Sequence, residues 1–383
     1  MNRRVFLKSA ALSAAAMVTH SRHAHSRDPG IKNWVWIPIN TKKSADDWKS
    51  CFALMRESGI RAIVPEIFNG TYAYFASQHL PVRTDLLGMM LPLALAEGLE
   101  VHAWMWCMPC MVAEVMKQHP DWYDVNAKGE SALDKPAYVS HYTFLDPGRP
   151  EVREWLQQTV KELANIAELT GVHFDYIRYP DAILARGLRK NYSIVQDKVY
   201  PQYDYGYSEY ERNLFHKKFG IDPLKIPDPT HHKKWMKFRF DTVTDLVNRY
   251  LVPPARAKGK QITAAVFPGP TLAREMVRQD WGRWHLDAFL PMLYNSFYEE
   301  GPEWVRQQTR EAVSTVKKPV YSGLFVAPMD EGGFTETVEM SLEGGASGIS
   351  IFAMESMNEA KWKTLRRITE ARSRKPAGLM TLS

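Results

Sequence analysis

Cysteines, long apolar runs and glycine-rich phosphate loops are scarce or missing in this chain, and each lack narrows what it can be. There are three cysteines in 383 residues. Cys107 and Cys110 form one C-x-x-C, and no second pair supplies the four ligands a structural zinc wants. The pair follows a strand without the helix start that lowers a thiol pKa, so a redox role is the weaker reading. In an oxidising compartment the two are spaced to close as a disulfide. Cys51 falls on the apolar stripe of an expected helix and reads as inert core. Beyond the N-terminus no apolar run approaches the ~18 residues of a membrane span, so no stable membrane association is expected. No Gly-rich phosphate loop follows a strand, which argues against an open doubly wound sheet. No supported ligand set for a metal is visible, and neither a metal nor a cofactor is expected.

Positive charge is also scarcer than it looks. The formal net charge is +6. Arg3, Arg4, Lys8 and Arg22 lie in the first 26 residues, which hold no acid, so the remainder carries 6 − 4 = +2. That balance asks for no nucleic-acid partner. What is plentiful is aromatic surface, with 12 Trp and 17 Tyr. Flat apolar faces with polar tips suit stacking on sugar rings, and they fill barrel cores equally well.

The start, Asn2-Arg3-Arg4-Val5-Phe6-Leu7-Lys8, resembles a twin-arginine export signal. Ala10 to Val18 gives a short apolar segment, and Ala24-His25-Ser26 gives the small residues a signal peptidase reads. Residues 1–26 are therefore expected to be a signal handled by the twin-arginine machinery, and the mature protein to be periplasmic or secreted.

Strand-like and helix-like runs then alternate. Strands are expected at Asn33 to Pro38, Ala62 to Phe68, Val101 to Trp106, Gly171 to Tyr179, Gln261 to Phe267, Asp287 to Tyr294, Val320 to Val326 and Gly348 to Glu355. Helical periodicity separates them, for example Trp48, Cys51, Phe52 and Met55 after a Ser44–Asp47 capping box. Eight strands, each followed by a helix, predict an α/β fold: one (β/α)₈ barrel over residues 31–372 with long insertions after strands three and four. Residues 373–383 show no periodicity and read as a loose tail.

In such a barrel, functional side chains gather at the C-terminal ends of the strands. Those ends carry Glu66, Trp104 with Trp106 and nearby His102, then His173, Asp175, Arg178 and Tyr179. Later come Asp280 with Trp281, Tyr294 with Asn295, and Glu355. Strand alternation puts His173 and Asp175 on the interior face and Val172, Phe174 and Tyr176 toward the helices. A buried carboxylate is costly unless it is paired or functional. On the residues alone, an active Asp175 and an Asp175 held by Arg178 in a structural ion pair stand level.

Gly171-Val172-His173-Phe174-Asp175-Tyr176-Ile177-Arg178-Tyr179-Pro180 resembles the signature of the glycosyl-hydrolase-like family 10 barrels. Four further stretches resemble the same family in the same order. They are His102-Ala103-Trp104; Leu145-Asp146-Pro147-Gly148 with Pro150 to Arg153; Gln279-Asp280-Trp281 with Trp284; and Asp287 with Pro291-Met292-Leu293-Tyr294. The resemblance implies a TIM barrel outside the cytoplasm that acts on a glycan. It departs from the family at Tyr176, where a second Asp is common, and at Cys107, where Asn is.

With the resemblance, a glycoside hydrolase becomes the leading expectation, acting on an extracytoplasmic polysaccharide or cell-wall glycan through two carboxyl groups. A glycan-binding protein on a degenerate barrel is the alternative. Asp175 is expected as nucleophile or charge-stabilising carboxylate, kept ionised by His173 or Arg178. Asp280, beside Trp281 and Trp284, is expected as the acid, with Glu355 as its alternative. Glu66, His102, Trp104, His173, Arg178, Tyr179, Trp281, Tyr294 and Asn295 are the sugar-binding candidates. Glu66 could equally pair with an Arg, and Trp104 could pack rather than stack. The segment from Asp181 to Thr230 is expected to cover the cleft with Tyr200, Tyr203, Tyr205 and Tyr207.

Overall fold

Strands rich in Val, Ile, Ala and Trp on both faces cannot leave either face in water, and here both faces are covered. A computed structural model describes residues 30–373. The expected signal, residues 1–26, and the tail beyond Ser373 lie outside the described residues. The strands are β1 (Asn33–Ile37), β2 (Ile60–Phe68), β3 (Glu100–Trp106), β4 (Gly171–Asp175), β5 (Gln261–Val266), β6 (Ala288–Pro291), β7 (Tyr321–Phe325) and β8 (Gly348–Phe352). Their order is β6-β5-β4-β3-β2-β1-β8-β7, and every strand pairing is parallel. The remaining seam between β6 and β7 is bridged where Phe289 N–H donates to the Pro319 carbonyl at 3.1 Å. The fold is the expected (β/α)₈ TIM barrel, nearly closed.

Alternation along the strands sorts side chains into two cores. Trp34, Trp36, Ala62, Val64, Trp104, Ala265, Leu290 and Tyr321 fill the barrel interior. Val35, Ile63, Val101, Val172, Phe174 and Ile262 pack outward against the helices. Interior bulk is tight at β4: a Cβ on Gly171 would lie 2.4 Å from His102 Nδ1, so only glycine fits there.

Local signals place the helices. Ser44 and Asp47 cap Ala45–Glu57 reciprocally, and Trp48, Phe52 and Met55 are buried. Helix Pro150–Ala164 buries Val152, Leu156, Val160 and Leu163. The run from Lys233 is helical to Ala257 but passes through a π-helical stretch at Leu246–Leu251. Pro253 and Pro254 follow and have no N–H to give, and the Tyr250 carbonyl accepts from Gln157 Nε2 at 3.2 Å instead.

Several boundaries differ from the sequence expectation, and two of them matter for the site. β4 stops at Asp175, because Tyr176 takes a left-handed conformation with φ +54°. β8 stops at Phe352, and Met354–Ser356 form a 3₁₀ turn. Helix Glu331–Glu343 starts where Asp330 caps it by accepting from Gly333 N–H.

The two long insertions, 107–149 and 176–232, lie on each other. Tyr207 N–H donates to the Val125 carbonyl at 2.9 Å, and Asn126 bridges Tyr205. Tyr207, Phe215, Ile226 and Trp235 form a satellite core beneath them. Among the described residues no helix is long and apolar enough to cross a membrane.

Candidate active site

The C-terminal mouth of the barrel holds a pocket of about 270 Å³ whose wall is mostly rings. Trp104 and Trp106 come from β3, Tyr294 and Phe352 from the ends of β6 and β8, and Tyr138 and Tyr142 from the first insertion. Asp175 lies among them. Its Oδ2 accepts from Trp104 Nε1 at 3.1 Å and its Oδ1 from the Tyr176 N–H at 2.6 Å.

Asp175 was expected to be held strongly ionised, and this is corrected. Burial raises its pKa to about 6, against the opposing pull of the Tyr176 N–H, Arg178 and Trp104. Neither expected partner clamps it. Arg178 Nη1 pairs with Asp181 Oδ2 at 2.9 Å, and the guanidinium is packed between the rings of Tyr176 and Phe267. His173 lies one layer deeper in the barrel. Its Nε2 accepts from Trp36 Nε1 at 3.1 Å and its Nδ1 meets Thr263 Oγ1 at 2.9 Å. Burial holds that imidazole well below its usual pKa, so it is a neutral core residue.

Tyr176 was expected against the helices. Its left-handed backbone instead turns the ring into the pocket, 4.8 Å from Trp106. The second insertion does wall the pocket, through Asp181, Leu184, Leu188 and Tyr192. The expected tyrosines do not line it. Tyr203 stacks on Tyr138 at 4.5 Å, Tyr205 and Tyr207 are buried in the insertion core, and Tyr200 is half-buried and donates to Asp197 Oδ1 at 2.8 Å.

The remaining candidates divide. Trp104, Arg178 and Tyr294 line the pocket with Asp175, and Tyr294 stacks on Phe352 at 5.5 Å. Asn295 sits just past it, donating to the Glu300 carbonyl at 2.9 Å. His102 is at the other end of the barrel, in register with the first residue of β4 and edge-on to Trp34 at 4.6 Å. Tyr179 points away from the pocket and donates to Glu211 Oε1 at 2.7 Å. Trp281 is buried against Phe289 in the outer core.

Of the two expected acids, neither lines the pocket. Asp280 is ion-paired with Arg274 at 3.2 Å and Arg283 at 3.3 Å, and Arg283 also reaches Asp241 on a surrounding helix. Glu355 is exposed in its 3₁₀ turn, in a separate surface hollow with Lys43 and Cys51. Glu66 is different. It ends the interior face of β2, in register with Trp104, and is buried. Its Oε2 accepts from the Ile39 N–H at 3.2 Å. Burial chiefly, with the nearby Asp175 and Glu355 charges, raises its pKa to about 7.

Sequence reasoning missed a buried acidic cluster that knits the insertions together. Asp146 accepts from Ser208 Oγ at 2.5 Å, Asp124 from Gly206 N–H at 3.0 Å, and Glu211 from Tyr179. Burial raises the pKa of all three. Asp124 and Glu211 are 87 positions apart, and no local motif announces them. Cys107 and Cys110 are separate buried thiols, and burial pushes Cys110 up to about 11, away from reactivity. Among the described residues no group of three or more His, Cys, Asp or Glu is arranged to hold a metal ion.

Comparison with known proteins places this site in context. A model of the family described as glycosyl hydrolase-like 10 matches residues 44–329. The chain is a glycosyl hydrolase-like 10 protein. It matches no curated protein. The catalytic domain of β-amylase from Paenibacillus polymyxa superimposes with a TM-score of 0.65 at 12% identity, over 90% of this chain and 99% of that one. β-Galactosidase from Marinomonas ef1 gives 0.62 at 13% identity, over 89% of this chain and 59% of that one. α-L-Fucosidase isoenzyme 2 from Paenibacillus thiaminolyticus gives 0.51 at 13%, over 88% and 49%. At these identities the likeness is one of fold. The glycosyl hydrolase-like 10 chain thus has a glycosidase-type barrel with an aromatic pocket at the end where such barrels carry function.

Proposed function

We propose that this glycosyl hydrolase-like 10 protein is an exported glycoside hydrolase acting on an extracytoplasmic bacterial polysaccharide or cell-wall glycan, with Asp175 as the carboxylate that meets the sugar. One observation carries the reading: Asp175 is buried in an aromatic pocket at the barrel mouth, hydrogen-bonded by an indole and a backbone N–H but in no ion pair among the described residues. A purely structural aspartate in that setting would be an unrepaid desolvation cost. A carboxylate whose charge steadies a sugar cation, or which bonds to it, has a use for that setting. Rings such as Trp106, Tyr176 and Tyr294 offer stacking faces to the apolar side of a pyranose.

A second reading has an observation of its own. Asp280 and Glu355 both fall outside the pocket lining, which favours a glycan-binding protein on the same barrel. Purified mature protein screened against cell-wall and exopolysaccharide glycans, with Asp175→Asn beside it, separates the two. A hydrolase releases reducing ends that the variant does not. A binding protein retains glycan and releases none in either form.

A further inference from the structure

A glycosidase needs a proton for the departing oxygen, and the carboxyls at the barrel mouth can be sorted by what already holds them. Asp181 is spent: its Oδ2 takes both Arg178 and the Tyr142 hydroxyl. Asp280 is spent between two arginines. Glu355 is exposed, with Lys43 beside it. Apart from Asp175 itself, Glu66 alone of the sequence candidates is a buried carboxyl on the interior face that no lysine or arginine of the described residues pairs with.

We propose that Glu66 is the proton-transfer partner of Asp175, taking the place expected for Asp280. This rests on the glycosidase reading above. The register supports it. Glu66 on β2 stands opposite Trp104 on β3, and the same Trp104 donates to Asp175 on β4. β2 and β4 are two strand spacings apart, so their backbones are separated by roughly 10 Å. Two side chains pointing inward across that gap fall in the range of roughly 5–10 Å over which glycosidases hold carboxyl pairs.

The order of ionisation suits the roles. Burial raises Asp175 to about 6 and Glu66 to about 7, and an ionised Asp175 favours the proton on Glu66. The groups that act on Glu66 are Asp175 from β4, Glu355 after β8, Trp106 from β3 and the Ile39 N–H after β1; Tyr74, from the loop after β2, in turn feels its charge. The acids among them favour the protonated form, and the two N–H groups oppose it without a compensating cation.

In the first step Glu66 gives its proton to the glycosidic oxygen as the C1–O bond breaks and its electron pair leaves with that oxygen. Asp175 bonds to C1 or faces the resulting cation. Water then adds to C1, its proton passes to Glu66, and any C1–Asp175 bond returns its pair to the carboxylate. One glycosidic bond and one water become two hydroxyls, and both side chains are restored.

The test uses paired aryl glycosides of glucose, galactose and N-acetylglucosamine, one with a dinitrophenol leaving group and one with a methylphenol. Glu66→Gln should lower kcat/KM about a hundredfold or more for the methylphenyl glycoside, which needs the proton, and less than about tenfold for the dinitrophenyl one. The unmutated protein gives an independent check: a basic limb near pH 7 for the methylphenyl glycoside only. Equal losses on both leaving groups, or the same basic limb for both, overturn the assignment of Glu66. If Asp175→Asn keeps full turnover, or the unmutated protein cleaves no glycoside or glycan, the hydrolase reading itself fails. If Asp175→Asn abolishes turnover while Glu66→Gln spares it on both substrates, Glu66 alone is wrong.

Discussion

The Trp104 indole nitrogen lies 3.1 Å from Asp175 Oδ2, and this hydrogen bond ties the middle of β3 to the carboxylate that ends β4. It favours the ionised form against burial, which raises the Asp175 pKa to about 6. The activity should therefore fall below about pH 6, as Asp175 takes up its proton. Trp104→Phe keeps a ring and removes the donor. Its acid limb should move to higher pH, and kcat/KM at neutral pH should drop roughly tenfold, the scale of a hydrogen bond to a charged group. A pH–rate profile of both proteins checks this, and an unmoved limb counts against the bond.

Arg178 and Asp181 form a buried ion pair in the pocket wall, with the Tyr142 hydroxyl on both. Arg178→Met should destabilise the fold by about 3–5 kcal/mol, because Asp181 is left buried without its cation. Adding Asp181→Asn should recover part of that loss. Urea unfolding of the single and double variants measures the difference. A double variant no more stable than the single would show that the pairing is not what matters.

The cluster of Asp124, Asp146 and Glu211 makes a prediction about pH and stability. Burial raises all three pKa values in the folded state. A carboxyl with a raised folded pKa holds a proton that the unfolded chain has already lost. Its contribution to stability is complete below the unfolded pKa and declines as pH rises toward the folded one. The melting temperature should therefore fall as pH rises above the ordinary carboxylate range of about 4. Glu211→Gln, neutral at every pH and still able to accept from Tyr179, should make the decline shallower. Identical slopes for the two proteins would contradict this.

Much of this was legible in the sequence, for identifiable reasons. Asp175 could be placed by counting, because β4 alternates Val172, His173, Phe174, Asp175 with no break. The same counting failed one residue later, since nothing local marks Tyr176 as left-handed. It failed again at Glu355, because β8 ends three residues before it. Asp280 looked like an acid in an apolar setting because Trp281 follows it. In the fold Trp281 turns into the core and the flanking Arg274 and Arg283 close on the carboxylate. Those arginines were visible in the sequence and were the better signal. Glu66 was found as a strand end, but its relation to Asp175 depends on two strand registers, which sequence spacing does not set.

Export is testable apart from the fold. A reporter carrying residues 1–26 should be exported, and the same reporter with Arg3→Lys and Arg4→Lys should remain in the cytoplasm. Cell fractionation reads the result. Unchanged export of the double variant would rule out the twin-arginine route.

The central claim is that Asp175 acts on the sugar in the transition state rather than merely binding it. The most direct measurement sets turnover and binding side by side for the unmutated protein and Asp175→Asn, on whichever glycan the screen identifies. The account predicts that kcat falls by several powers of ten while the dissociation constant for the glycan changes by less than about threefold, because the loss falls on the transition state. Equal turnover by the two proteins, or a glycan that is bound but never cleaved by either, would contradict it.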